Sequence, residues 1–196
     1  MAPGMQDPLT GGFPDQGQTA AKAFRQAMAA LSTPGTIMRL AGACPPEGIS
    51  PAAGTLFLVL ADADTALWLP PRLAEGPVAQ WLRFHTNAPR GDARSARFAV
   101  GHWSELAPLA RWPAGTPTYP DRSATLFVEL DALEGGEPVG LRGPGIRDTV
   151  CVAPALPDGA WAEISKNAAG FPLGVDLFLC AGDRILGLPR STRPEV

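Results

Sequence analysis

Apolar residues recur at helical spacing over residues 15–32 and predict the first helix of the chain. The apolar positions follow an i, i+3, i+4, i+7 pattern and predict one buried face; they are Phe24, Ala27, Met28 and Leu31. Asp15, with Gln18 three residues later, resembles a capping box at the helix start. Thr-Pro-Gly at 33–35 predicts the helix end, because proline disfavours helical geometry before it and glycine tolerates a turn.

A second apolar run, at 56–60, fits either a buried helix or a central strand by periodicity alone. Ser50 followed by Pro51 is a typical helix start, which favours the helix. Other patterns predict helices at 76–87 and 157–167, a brief helix from 104, and strands at 36–40, 65–69, 98–100 and 124–130.

Two hairpins are predicted in the second half of the chain. Residues 175–180 and 185–188 flank a turn that contains Gly182, and 138–141 is predicted as the returning arm of a hairpin after the turn at 134–136. Because helices and strands alternate, with hairpins added late, the sequence predicts an α/β fold with a mixed sheet flanked by helices. We expect residues 1–12 to be a flexible N-terminal arm and 13–196 to be a single domain.

Composition and charge narrow the class of protein. The chain has 196 residues, 45% of them hydrophobic and 18% charged, which suits one globular domain. The net charge is −3, and there are only two lysines and no basic run, so a nucleic-acid partner is not expected. Neither a signal peptide nor an apolar run of about 18 residues is found, so we expect a cytoplasmic protein without a membrane span.

The three cysteines, Cys44, Cys151 and Cys180, are widely spaced and argue against a disulfide framework or a zinc ribbon. The common nucleotide-binding, metalloprotease and hydrolase motifs are missing from the sequence. Lys166 sits among polar and charged residues, which favours a surface lysine over a Schiff-base lysine. We therefore predict neither a cofactor nor a metal.

The most distinctive polar segment is 83–87, at a predicted helix end. Arg83, His85 and Asn87 bring together groups that suit a phosphate or phosphonate oxyanion. The alternative is an ordinary helix C-terminus, where basic groups favour the negative dipole end and asparagine accepts left-handed geometry.

Three further features carry weaker hypotheses. Gly143 and Gly145, on either side of Pro144, could offer backbone N–H groups to an anion, although a plain turn is favoured. Asp176, in an apolar strand, is predicted to be paired by an arginine. Arg190 lies in a polar C-terminal stretch that is either a solvated tail or a docking strip.

Several blocks in this order resemble one family, the PhnH family of phosphonate metabolism proteins. The resemblance covers about residues 13–196; its blocks are 24–28 with 32–36, 60–62 with 66–69, 82–89, 141–146, and 171–176 with 188–192. The family resemblance implies a subunit of the carbon–phosphorus lyase system, which degrades alkylphosphonates.

The resemblance implies a particular reaction and particular partners. With the G and I subunits, the family supports displacement of adenine from ATP by a phosphonate, giving ribose 1-phosphonate 5-triphosphate. It also implies a homodimer, contact with the G, I and J subunits, and a fold like the large domain of pyridoxal-phosphate-dependent transferases without that cofactor. It assigns no catalytic residues to this subunit, so we expect a structural or assembly role and no activity of the isolated chain. A freestanding protein that binds a phosphonate or nucleotide is the alternative. The candidate contacts with ligand or partner are Arg83, His85, Asn87, Gly143, Gly145 and Arg190.

Overall fold

A computed structural model describes residues 10–195, and two β-sheets form its framework. The strands are β1 (Ile37–Arg39), β2 (Leu67–Trp68), β3 (Phe98–His102), β4 (Thr125–Glu129), β5 (Val139–Arg142), β6 (Val150–Val152), β7 (Asp176–Ala181), β8 (Arg184–Leu188) and β9 (Arg193–Glu195). The helices are α1 (Gln16–Ser32), α2 (Pro51–Leu60), α3 (Pro71–Ala74), α4 (Pro77–Thr86), α5 (Trp103–Leu106) and α6 (Ala160–Ala169).

The larger sheet is mixed, as the sequence predicts. Its strand order is β1-β8-β7-β4-β3-β2, in which β2, β3, β4 and β7 are parallel neighbours and β8 runs antiparallel to both β7 and β1. The predicted late hairpin is confirmed as β7 and β8, with Cys180 opposite Ile185. The α/β class with a mixed sheet and helices is therefore confirmed.

Helices cover both faces of this sheet. One core contains α1, α2 and α4 against the sheet residues Val100, Phe127 and Phe178. The other contains α5, α6 and the small sheet against Leu126, Val128 and neighbouring residues. Central strands buried on both faces explain their nearly continuous apolar runs.

The ambiguous run at 56–60 is helical, as the start signal predicts. The Ser50 hydroxyl accepts the N–H of Ala53 at 3.1 Å, and Pro51 occupies the first turn. Helix α2 is buried from Ala52 to Phe57, which accounts for apolar residues on every side.

The buried face of α1 agrees with the prediction at Ala27 and differs from it at Phe24 and Met28. The residues that are buried are Ala23, Ala27 and Ala30, whereas Phe24 is 45% exposed and Met28 37% exposed. A Cβ on Gly187 of β8 would collide with the backbone of Ala30, so helix and strand approach too closely for large side chains. Small residues therefore mark the contact face of this helix.

The predicted hairpin that returns at 138–141 is wrong. Strand β5 pairs with β6 and β9 in a separate three-stranded antiparallel sheet, while β4 has parallel neighbours on both sides. The C-terminal stretch, predicted to be a solvated tail or a docking strip, instead ends in β9, with Arg193 opposite Arg142. The division at residue 12 stays a prediction, and residues 1–9 of the arm lie outside the described residues.

Candidate functional site

A groove of about 500 Å³ runs beside α4 at the β2 edge of the large sheet. Its apolar lining comes from Leu67, Leu69 and Leu82, and its polar lining includes Gln80 and Arg83. The remaining residues that line it are Ala74, Glu75, Gly76, Ala79, Asn87, Ala88, Pro89 and Arg90. An apolar floor with a few polar groups at the rim is the usual composition of a small-molecule site.

The end of α4 fixes the position of two predicted site residues in this groove. Asn87 adopts a left-handed conformation with φ of 54°, and its N–H donates to the carbonyl of Arg83 at 3.0 Å. The Thr86 hydroxyl donates to the Leu82 carbonyl at 2.7 Å and accepts the N–H of Ala88 at 3.1 Å. This C-terminal geometry satisfies backbone groups and leaves Arg83 exposed on the groove side.

The two arginines of the groove differ in what they bind. Arg90 donates to the carbonyl of Ala74 at 2.6 Å and lies 3.5 Å from the Glu75 carboxylate. The side chain of Arg83 has neither a hydrogen bond nor an ion pair with any of residues 10–195. Its guanidinium is therefore available for an oxyanion.

His85 does not line this groove. Its ring lies 4.9 Å from the ring of Trp81 and 4.9 Å from that of Phe84. Gly12 packs closely against it, and the Trp81 indole N–H donates to the carbonyl of Thr10 at 2.8 Å. The Nε2 atom of His85 is buried without a partner among the described residues.

Gly143 and Gly145 lie in a turn that closes with the Ile146 N–H donating to the Gly143 carbonyl at 3.1 Å. Both have positive φ angles, 149° and 84°, which favour glycine. A Cβ at Gly145 would collide with the carbonyl of Ser32, so this turn packs on the end of α1. Gly143 also lines a recess of about 360 Å³ with Phe171.

Arg190 is bound within the fold, and it is the partner predicted for Asp176. Its Nε donates to Oδ1 of Asp176 at 3.1 Å, and its Nη2 donates to Oδ2 and to the Ser123 hydroxyl. Nη1 donates to the carbonyl of Pro120 at 2.6 Å. With every nitrogen of the guanidinium occupied, Arg190 positions the chain after β8.

The carboxyl ends of the parallel strands hold a second ionic cluster. In open α/β sheets ligands often bind at this edge. In this protein, hydrogen bonds and an ion pair between side chains and neighbouring loops occupy it. Glu129, 8% exposed at the end of β4, accepts the N–H of Ser50 at 2.8 Å. Nε and Nη2 of Arg72 donate to the two carboxylate oxygens of Glu105 at 2.9 and 3.0 Å, and Nη1 donates to the carbonyl of Gly48 at 3.1 Å.

The pKa values of the two carboxylates of this cluster shift in opposite directions. Desolvation raises the pKa of Glu129 above its usual value, and the hydrogen bonds from Ser50 offset this only in part. For Glu105 desolvation also acts upward, but the hydrogen bonds from Arg72 and His102 bring its pKa below the usual value. Burial and the nearby Glu129 raise the pKa of the Cys180 thiol well above normal.

The six predicted contacts thus fall in different places. Arg83 and Asn87 share the groove beside α4, His85 faces the N-terminal segment, Gly143 and Gly145 form a turn, and Arg190 is held by Asp176. Sequence reasoning missed Arg90, which follows Pro89 directly at the end of the same segment.

The missed Arg72–Glu105 pair left no sequence signal, since its members are 33 residues apart. Within residues 10–195, no helix is long and apolar enough to cross a bilayer, and no group of three acidic, histidine or cysteine side chains is placed to hold a metal ion.

Comparison with known proteins relates the whole fold to one family. The family model for the bacterial phosphonate metabolism protein PhnH matches residues 11–195. Alpha-D-ribose 1-methylphosphonate 5-triphosphate synthase subunit PhnH of Rhizobium meliloti (strain 1021) is 41% identical over 190 residues, 95% of each chain. A putative C-P lyase subunit protein, HtxG of Stutzerimonas stutzeri, is 30% identical over 172 residues, 87% of this chain and 83% of HtxG. The chain therefore belongs to the PhnH family of bacterial phosphonate metabolism proteins.

Proposed function

We propose that this chain is a subunit of a carbon–phosphorus lyase system, in which it supports synthesis of a ribose 1-phosphonate 5-triphosphate from ATP and a phosphonate. The observation that carries the proposal is the 41% identity, over 95% of both chains, to a protein named as a subunit of that synthase. The family match over residues 11–195 agrees with it. The reaction belongs to a transferase complex in the cytoplasm, with the G, I and J subunits as partners.

Within this complex the chain has a structural and assembly role. Two observations favour that role over catalysis. First, the predicted polar residues do not converge on one point. Second, the sheet edge where α/β enzymes often bind ligands is occupied by the Glu129–Ser50 hydrogen bond and the Arg72–Glu105 ion pair. The likeness to the large domain of pyridoxal-phosphate-dependent transferases is part of the same proposal. Lys166 is exposed on α6, as a surface lysine would be.

A second candidate function is supported by the groove beside α4. Arg83 offers an unpaired guanidinium at the rim of a space of about 500 Å³, enough for a small phosphorylated or phosphonylated ligand. In this alternative the chain binds a phosphonate or nucleotide directly, either for the complex or as a freestanding protein.

The experiment for the main proposal is reconstitution of the reaction. The purified chain, with ATP and methylphosphonate, is expected to release no adenine above a buffer control, whereas the chain together with the G and I subunits releases it. Adenine release by the chain alone would contradict the supporting role. A complex that is equally active without this chain would contradict its membership.

Titration calorimetry separates the second candidate. Binding of ATP or methylphosphonate to the isolated chain, lost in Arg83→Gln and kept in Arg94→Gln, would establish the groove as a ligand site. Arg94 serves as the control because it is exposed and does not line the groove. Silence with both ligands would remove the freestanding binding protein as a function.

A further inference from the structure

Arg111 lies against two tryptophan rings at the β2 edge of the large sheet. Its guanidinium carbon lies 4.7 Å from the centre of the Trp68 ring and 4.5 Å from that of the Trp112 ring. The two indoles meet edge to face at 5.2 Å. Stacking of a guanidinium on aromatic faces is favourable, and it keeps the planar fork in one orientation.

The surroundings keep this arrangement in place without a ligand. Trp68 belongs to β2, where it pairs with Ala99. The buried indole N–H of Trp112 donates to the carbonyl of Leu106 at 2.7 Å. The N–H of Leu109, at the start of the 3₁₀ turn that carries Arg111, donates to a carboxylate oxygen of Glu163.

The charge of Arg111 has no counter-ion. Among residues 10–195 the Arg111 guanidinium forms neither a salt bridge nor a hydrogen bond, and its Nε is buried without a partner. Desolvation lowers its pKa, and no carboxylate acts in the opposite direction. Two other arginines that are partly shielded from water, Arg72 and Arg190, each pair with a carboxylate, which Arg111 does not.

A half-buried guanidinium normally has an anion beside it, because removal from water without one costs free energy. In Arg111 only Nε is fully enclosed, so Nη1 and Nη2 remain open to a partner. Tryptophan and arginine are also the residues most enriched among those that dominate the energy of protein interfaces. A rigid Trp–Arg–Trp cluster with an open fork thus has the features of an interface anchor.

We propose that the Trp68–Arg111–Trp112 cluster is a docking point for another subunit of the complex, which places a carboxylate side chain on the free fork of Arg111. The inference rests on the proposed function, because the partner is a subunit of the same complex. A protein carboxylate is chosen over a small anion because Trp68 is partly exposed beside the fork and adds apolar contact area to a protein interface, whereas Trp112 is only 3% exposed and serves to hold Arg111.

The test is a competition for assembly. Wild-type chain and Arg111→Met chain are co-expressed in equal amounts with the G, I and J subunits, and the ratio of the two in the purified complex is measured by mass spectrometry. Methionine keeps apolar volume between the indoles but removes the charge. We expect the wild-type chain to be favoured roughly tenfold, as for an interface hot spot.

Arg122→Met is the matched control. Arg122 also stacks on an aromatic ring, that of Tyr119 at 4.2 Å, but it is exposed to water. We expect wild-type and Arg122→Met chains to be incorporated equally. If Arg111→Met does not fold by thermal melting, Arg111→Lys replaces it, since lysine keeps the charge and cannot form the planar fork.

Each outcome has one meaning. Equal incorporation of wild-type and Arg111 variant chains, with the complex intact, overturns this inference and leaves the proposed function standing. Absence of the wild-type chain from the complex overturns both. In a separate arm, methylphosphonate and tripolyphosphate are titrated into the isolated chain while tryptophan fluorescence is recorded; a saturable change that Arg111→Met abolishes would assign the fork to a small anion and overturn the protein partner.

Discussion

Glu129 and Glu105 lie in the same ionic cluster, but their charges have opposite effects on stability. The pKa of Glu129 is raised in the folded protein, so this carboxyl group favours the fold while protonated, below its unfolded pKa. That contribution is lost as the pH rises through the folded pKa. The pKa of Glu105 is lowered, so its contribution is present above its unfolded pKa and is lost as the pH falls through the folded value.

The first prediction follows from these signs. Glu129→Gln, whose amide oxygen can still accept the Ser50 N–H, should gain stability relative to wild type as the pH rises from 4 to 8, roughly the range over which a raised carboxyl pKa titrates. Urea unfolding across this range measures the difference. Glu105→Gln is the matched control and should show the opposite trend, being less stable than wild type at pH 8 with the gap closing in acid. Parallel curves for the two variants would contradict the assignment.

Arg190 leads to a second prediction at this scale. The side chains of Arg190 and Asp176 are only 13% and 18% exposed, so Arg190→Met leaves a partly buried carboxylate without its partner. The expected loss is about 3 kcal/mol of unfolding free energy. Arg190→Lys should lose much of the same energy, because an ammonium cannot reach Asp176, Ser123 and the Pro120 carbonyl together.

The exposed Arg39–Asp183 pair provides the comparison. Its side chains are 77% and 41% exposed, and Arg39→Met should cost at most about 0.5 kcal/mol. Urea unfolding at neutral pH compares the three variants. Equal losses of unfolding free energy in Arg190→Met and Arg39→Met would show that the buried pair stabilises the fold no more than the exposed pair does.

At the level of elements, the contact between α1 and β8 depends on the absence of side chains. Gly187→Ala would place a Cβ against the Ala30 backbone, so we expect a loss of about 1–3 kcal/mol from overpacking. Gly17→Ala, in the same helix, meets nothing nearer than 3.7 Å and should gain about 0.5–1 kcal/mol from helix propensity. Thermal unfolding of both variants measures whether stability falls in Gly187→Ala and rises in Gly17→Ala. A Gly187→Ala protein as stable as wild type would mean that helix and strand can move apart with little loss of free energy.

The same contact explains what sequence reasoning could find in α1 and what it could not. The bounds of the helix follow from local signals, and the Asp15 side chain accepts the N–H of Gly17 at 3.0 Å as a cap should. The choice of face depends on what lies opposite. Periodicity favours Phe24 and Met28, but a glycine in β8 selects the alanines, and β8 is far away in sequence.

The small sheet shows the same limit for strand pairing. A run such as 138–141 predicts a strand, but not its partners. The sequence neighbour β4 is closed to it because parallel strands occupy both sides, and β5 pairs instead with β6 and with β9 from the C-terminal stretch. In the candidate site, Arg83 and Asn87 were predictable because they lie in one local segment, whereas the Arg72–Glu105 pair joins residues 33 positions apart.

On the scale of the whole molecule, the exposed apolar side chains bear on the homodimer that the family resemblance implies. Phe24 and Met28, one turn apart on α1, are 45% and 37% exposed. If this stripe lies between the two copies, Phe24→Ser combined with Met28→Ser should raise the dimer dissociation constant at least roughly tenfold, because two large apolar groups would leave the interface.

Light scattering over a dilution series measures that change. Phe171→Ser is the matched control, since Phe171 is 56% exposed but belongs to the recess beside Gly143. We expect the control to dimerise like wild type. An unchanged dimer in the α1 variant would place the contact elsewhere, and a wild-type monomer at all concentrations would contradict the dimer itself.

The pairing of β1 with β8 has a consequence for how the protein is made. Residues 37–39 leave the ribosome long before their strand partner among the described residues, 184–186, has been made. Strand β5 can pair with β6 soon after it is made, but its second partner, 193–195, also comes later than β8. Until β8 has been made, helix α1 lacks the strand that covers its alanines, so the growing chain exposes this apolar face up to that point. Chaperone dependence during expression is therefore expected to concentrate on the N-terminal helix, and premature stop codons anywhere before β8 should yield aggregated rather than shortened protein.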